Sequence, residues 1–123
     1  MSTQYLDTRR LLDNNQLSGN IPSTLGSVQK LEALRLDGNF LSGSVPANLY
    51  SLVHVQELFL LNNQLTGPLP NLTGMASLSY MSISNNSFNV PDVTAWFSTL
   101  KSLTALTTLR ALISAYLKMS SKR

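Results

Sequence analysis

The chain has 123 residues, is 43% hydrophobic, carries a formal net charge of +3 and contains no cysteine. This length bounds one domain, the apolar fraction argues against a disordered body, and the cysteine count excludes disulfides, thiolate metal sites and cysteine nucleophiles. The charge is uneven: residues 1–92 hold four basic and six acidic side chains, whereas Lys101, Arg110, Lys118, Lys122 and Arg123 follow Asp92 without any acid. A basic end of this kind suits an anionic surface such as a membrane, and equally a solvated helical or frayed end.

Residues 1–10, MSTQYLDTRR, lack the apolar core of a secretory signal. No apolar run in the chain approaches the roughly 18 residues of a membrane span. We therefore expect neither a cleaved signal nor a bilayer anchor in the sequence as it stands. We also expect residues 1–10 to form an irregular N-terminal edge. Counting back from Asn15, the inward positions of a first strand fall on Asp7, Arg10 and Leu12. Burying either charge unpaired costs several kcal/mol, so a frayed or shifted edge strand is predicted in place of a true repeat strand.

Residues 11–91 are organised by a period. Asn15, Asn39, Asn63 and Asn86 recur at intervals of 24, 24 and 23 residues, each followed two positions later by Leu or Phe. The middle frames read L31-x-x-L34-x-L36-x-x-N39-x-L41-x-G43-x-V45-P46, then V55-x-x-L58-x-L60-x-x-N63-x-L65-x-G67-x-L69-P70. A fixed period of this length means a solenoid, in which each turn buries its apolar face only against its neighbours. The fourth and sixth positions of each frame share one face of a short strand. Strands centred on Leu34 to Leu36, Leu58 to Leu60 and Met81 to Ile83 are predicted to lie parallel and adjacent. The recurring Asn stands where the chain bends inward, and its amide can satisfy backbone groups that a buried bend leaves open. We predict a ladder of Asn15, Asn39, Asn63 and Asn86. Gly and Pro then turn the chain before a short helical piece, P-x-x-L-x-x-L. The fourth frame departs, with Val90 where Gly belongs and Pro91 two places early.

After Asp92 the frame is lost. Trp96, Phe97, Leu100 and Leu103 recur at helical spacing behind Pro91 and Asp92, a plausible helix start. The leucines then fall every third residue, which slips by about 60° per step around a helix. We predict a helical, basic C-terminal tail over 92–123, with one helix from about Val93 and a second segment near 105–118. The alternative left open is that L103-x-x-L106-x-x-L109 is the remnant of a fifth repeat strand.

The pattern L-x-x-L-x-L-x-x-N-x-L-[ST]-G-x-[IVL]-P resembles the plant-type leucine-rich repeat found in ectodomains of plant receptor-like protein kinases. LSGNIP (17–22), LSGSVP (41–46) and LTGPLP (65–70) carry the plant-type signature, and the likeness covers residues 11–88. The resemblance implies an α/β solenoid, a right-handed superhelix of about 3–4 repeats with short parallel strands. It implies a signalling parent at the extracellular side of the plasma membrane, whose repeats recognise a peptide or protein ligand or a co-receptor. Relatives add Cys-containing caps, further repeats, a membrane span and a kinase. Lacking these, the sequence fits a fragment or truncated product, and the alternative function is a soluble decoy or a product without binding activity of its own.

The outward strand positions line the concave face, where such solenoids bind. Three columns follow from the frame: Arg9, Ala33, Glu57, Tyr80; Leu11, Arg35, Phe59, Ser82; Asp13, Asp37, Leu61, Ser84. Arg35, Glu57, Phe59, Leu61, Tyr80 and Ser82 are the candidate ligand-binding residues, because exposed aromatics with a charged rim suit peptide or protein recognition. Single exposed apolar residues are also commonplace. Asn71-Leu72-Thr73 and Asn85-Asn86-Ser87 are glycosylation sequons, with Asn71 the more accessible by position. Self-association through uncapped solenoid ends is a further possible contact. For chemistry the inventory is thin. His54 is the lone histidine, and no nucleophile-base set, metal cluster, P-loop or kinase motif occurs. We expect no enzyme, no cofactor, no metal and no nucleic-acid partner.

Overall fold

The computed structural model describes residues 8–89 and the strand at 105–107. Two parallel sheets run along the chain's coil. The first contains β1 (Arg9–Leu11), β3 (Ala33–Arg35), β5 (Glu57–Phe59), β7 (Tyr80–Ser82) and β9 (Ala105–Thr107), in that order. The second contains β2 (Ser18–Asn20), β4 (Phe40–Gly43), β6 (Gln64–Pro68) and β8 (Ser87–Asn89). Each of the first four turns therefore contributes one strand to each sheet, and β9 adds a fifth to the first. The first-sheet strands begin one residue before the predicted centres, in register Leu34↔Leu58↔Met81.

Alternation explains the strands. In β3 to β7 the middle residues Leu34, Leu58 and Met81 are buried, and their sequence partners Leu31, Leu36, Leu60, Leu78 and Ile83 join the same core. Below them Leu41, Leu65 and Phe88 of the second sheet close the interior. The backbone ladder continues past the strand ends: Leu36 N–H donates to Phe59 O and Leu60 N–H to Ser82 O, both at 2.8 Å. Every turn thus leans on the next one along the chain.

The predicted helical pieces on the return side are short 3₁₀ turns at Ser23–Ser27 and Ala47–Ser51, each following a Pro. Neighbouring turns come very close there. A Cβ added at Gly74 would lie 2.4 Å from the Tyr50 carbonyl oxygen. Gly74→Ala is expected to destabilise by about 1–3 kcal/mol, since backbone must move to admit the methyl; chemical denaturation of the two proteins checks it.

One expectation changes at the C-terminal end. The helical tail is corrected at 105–107, where β9 pairs in parallel with β7 in the register Met81↔Leu106. Among the described residues the helices are 3₁₀ turns, so the α component of the expected α/β class is not observed in them. The physical reason for β9 is that β7 offers an open edge of peptide groups, and Thr104, Thr107 and Thr108 favour strand over helix. Leu103 and Leu106 also repeat the L-x-x-L spacing, which belonged to the alternative left open. The rest of 92–123 lies outside the described residues. At the other end a frayed or shifted edge strand was expected over residues 1–10; residues 1–7 lie outside the described residues, and Arg9–Leu11 forms an edge strand paired Arg9↔Ala33 and Leu11↔Arg35. Arg10 is half-buried and engages a partner, so the penalty of an unpaired inward charge does not arise.

Candidate functional site

The asparagine ladder fixes the curvature on which the concave face depends. Asn63 Nδ2 donates to Leu36 O at 3.0 Å, Leu60 O at 3.1 Å and Leu61 O at 3.3 Å, while its Oδ1 accepts from Leu41 N–H at 3.0 Å. Asn39 and Asn86 repeat the pattern, each reaching back to the preceding turn. Asn15 is exposed and bonds only within its own turn among the described residues, to Leu12 O and Asp13 O.

A second line runs beside the ladder that the periodic reading missed. Asn14, Gly38, Asn62 and Asn85 all take left-handed backbone, with φ of 56°, 70°, 58° and 56°. Only Gly, Asn and Asp visit that region at little cost. The doublets Asn14-Asn15, Asn62-Asn63 and Asn85-Asn86, with Gly38-Asn39 between them, were the available signal. At Gly38 the φ of 70° itself favours glycine, which adopts it without steric cost.

On the concave face the strand register places the columns side by side: Arg9, Ala33, Glu57, Tyr80 in one, Leu11, Arg35, Phe59, Ser82 in the next. Arg9 reaches across Ala33 to Glu57, Nη2 to Oε2 at 3.9 Å, and both side chains are solvated enough to make this pair weak. The Arg35 guanidinium stacks on Phe59, 4.6 Å from the ring centroid, a cation–π contact. Arg35 Nε stands 4.0 Å from Asp37 Oδ1, near enough for attraction but not for a hydrogen bond. Phe59 and Leu61 are half-buried, Tyr80 is exposed and Ser82 is buried.

These side chains bound a depression of about 330 Å³ lined by Arg35, Asp37, Phe59, Leu61, Tyr80 and Ser82, with Met81 behind them. Five of the six candidate ligand-binding residues meet in it; Glu57 stands outside, paired to Arg9. Asp37 belongs to it although the candidate set omitted it. The signal was present, since Asp37 precedes Leu61 in the third column. The convergence of apolar wall and polar rim is a binding geometry. Among the described residues no three His, Cys, Asp or Glu side chains come together to hold a metal, and His54 is exposed. No described helix is long and apolar enough to cross a membrane.

The two sequons differ. Asn71 and Thr73 are exposed, and Asn71 Oδ1 accepts from both the Thr73 amide and the Thr73 hydroxyl. Asn85 is exposed too, but its Nδ2 donates to Asn62 Oδ1 at 2.8 Å across the left-handed line.

Comparison with known proteins agrees with the geometry. The family model described as Leucine Rich Repeat matches residues 30–52. An Arabidopsis thaliana protein described as a probable leucine-rich repeat receptor-like protein kinase is 62% identical over 96 residues, 78% of this chain and 10% of its own length. Among solved structures, PEPR1–AtPEP1 superposes with a TM-score of 0.75 at 35% identity, covering 80% of this chain and 14% of that one. The Arabidopsis receptor kinase HAESA, in complex with the peptide hormone IDA and the co-receptor SERK1, gives 0.55 at 29% identity, covering 80% of this chain and 21% of that one. The chain therefore spans about a tenth of the curated relative and a minor part of each of these structures. With its ladder, its two parallel sheets and these relatives, the chain is a plant-type leucine-rich-repeat protein that resembles part of the ectodomain of leucine-rich-repeat receptor-like protein kinases.

Proposed function

We propose that residues 11–91 form a recognition module that takes an extended peptide or a co-receptor across the concave sheet, without covalent chemistry. The carrying observation is the single depression that gathers Phe59, Leu61 and Tyr80 with a charged rim. A relative holding a peptide hormone and a co-receptor supports that class of partner. In this reading the parent is a receptor-like kinase of the plasma membrane, with the repeats on its extracellular side, and binding serves signal transduction. Asn71 is the glycan acceptor of that parent; Asn85 is disfavoured by its bond to Asn62.

Phe59→Ala and Tyr80→Ala are each expected to weaken a peptide selected on the folded chain by about 1–2 kcal/mol. Tyr80 is exposed, so its loss should leave melting nearly unchanged, whereas half-buried Phe59 carries some packing as well. Equal affinity for wild type and the double variant moves the site off this face.

We further propose self-association through the first turn, where Leu11, Leu12 and Leu17 are 49%, 43% and 37% exposed. Sedimentation over a hundredfold range of concentration, about what a micromolar dimer needs, tests it. A monomer throughout would remove the proposal.

A further inference from the structure

The outer face of the second sheet is free of charge. Residues 14–29, 38–53 and 58–91, which contain all four of its strands, include no Asp, Glu, Lys, Arg or His. The rim charges Arg9, Arg35, Asp37 and Glu57 stand in or beside strands of the first sheet instead. On the second-sheet face Asn20, Gln64, Thr66 and Ser87 are exposed and Ser42 is half-buried. Their side-chain donors and acceptors bond nothing among the described residues, so water is their partner. Register sets three of them in one row: Asn20 lies opposite Ser42, and Ser42 opposite Gln64, across β2, β4 and β6. Two positions before Ser42, and so on the same side of β4, Phe40 holds a large ring 54% exposed among these polar neighbours.

We propose that this face binds an extended, uncharged polysaccharide laid across the strands, with Phe40 under one hexose ring and the row Asn20, Ser42, Gln64 along the chain's edge. Charge removes the anionic partners. A nucleic acid, an acidic lipid or an acidic glycan needs Lys or Arg, and the face offers neither. A cation meets no carboxylate there. The backbone is already paired within the sheet, so recognition falls to side chains. Amides and hydroxyls both donate and accept. A sugar hydroxyl does the same, so each member of the row bonds it in whichever sense the ring presents. The C–H face of a hexose packs on an aromatic ring by dispersion, which gives exposed Phe40 a use that a wholly polar face lacks. Spacing selects an extended chain. Adjacent strands lie about 4.8 Å apart, close to the advance of one hexose unit in a flat β-linked chain, so successive units meet successive strands. None of these side chains is buried or bonded within the described fold, so the ligand reaches them without rearrangement.

The test titrates cellohexaose into the isotope-labelled full chain and follows backbone amide shifts. A shallow face of this kind is expected to bind with a Kd of about a millimolar, within reach of the method. Shifts should centre on Phe40, Ser42, Gln64 and Thr66 and leave Phe59 and Tyr80 unmoved. Hexagalacturonate, charged at every unit, and maltohexaose, whose α-links curl the chain, should each bind several-fold more weakly. Phe40→Ala should weaken cellohexaose by about fivefold or more, while Phe40→Tyr retains it. Gln64→Ala, at an exposed position that the core does not use, should weaken it several-fold with the melting temperature unchanged. No saturable shift, shifts centred on Phe59 and Tyr80, tighter binding of hexagalacturonate, equal binding of maltohexaose, or unaltered affinity in both Phe40→Ala and Gln64→Ala would overturn the proposal. So would movement of the same amides with protein concentration alone and no response to sugar, which would assign the face to a second copy of the chain. The site lies on the other sheet from the concave hollow, so its failure leaves the concave reading intact, and the reverse holds.

Discussion

Replacing Asn63 by Ala should lower stability by about 3 kcal/mol, because four backbone groups lose the amide that satisfies them and leaving each one unpaired is unfavourable by about 1–3 kcal/mol when buried. The four are Leu41 N–H and the carbonyls of Leu36, Leu60 and Leu61. Asn63 is half-buried, so water recovers part of the loss; the sum of four full penalties is not expected. In a domain of this size about 3 kcal/mol lowers the melting temperature by more than about 10 °C. The adjacent residue is the control. Asn62 has a φ of 58°, and its side chain accepts one exposed bond from Asn85. Asn62→Gly keeps the left-handed backbone at no steric cost, so a change within about 0.5 kcal/mol is expected. Thermal and urea unfolding of the two variants separates the ladder from its neighbour. Equal losses would mean that the Asn63 amide contributes no more than a surface residue.

Much of this was legible from the sequence because one physical constraint repeats. A turn of about 24 residues must bury its leucines and satisfy its bend in the same way each time, so Leu34, Leu58 and Met81 announce their own register. The candidate binding residues followed by elimination, as the outward positions of strands whose inward positions were assigned. What was not legible depends on contacts between turns. The stacking of Arg35 on Phe59 and the approach of Arg35 to Asp37 need the spacing of adjacent strands, which no single frame contains. The second sheet was missed because its strands are short and carry at most one inward apolar residue each, Leu41, Leu65 and Phe88, too few for an alternation to be read. The C-terminal end misled for a different reason. Leucines three apart satisfy a strand's L-x-x-L opening and a helix's turn equally well over a short span. Pairing with β7 decided it at 105–107.

Leu58→Ala should cost about 3–5 kcal/mol, the range for a buried leucine whose cavity cannot collapse, and should also change how the chain unfolds. Leu58 is 0% exposed and sits in β5, with β3 on one side and β7 on the other. Solenoid stability is a sum of turn terms and nearest-neighbour interface terms, so a defect in the central turn weakens two interfaces together. The turns carrying β1 and β3 are then held to those carrying β7 and β9 only through a damaged middle. A broadened or two-step urea transition is expected, with hydrogen exchange protecting the two flanks to different degrees. The comparison is Leu12→Ala in the first turn. Leu12 is 43% exposed, and losing three partly buried carbons there should cost only about 1 kcal/mol without broadening the transition. The rung at β9 adds an interface beyond β7, and the wild-type chain should accordingly unfold more cooperatively than the turns carrying β1 to β8 would alone. If Leu58→Ala retains a single sharp transition, displaced no further than that of Leu12→Ala, then the turns do not act through their neighbours and the nearest-neighbour account of this solenoid fails.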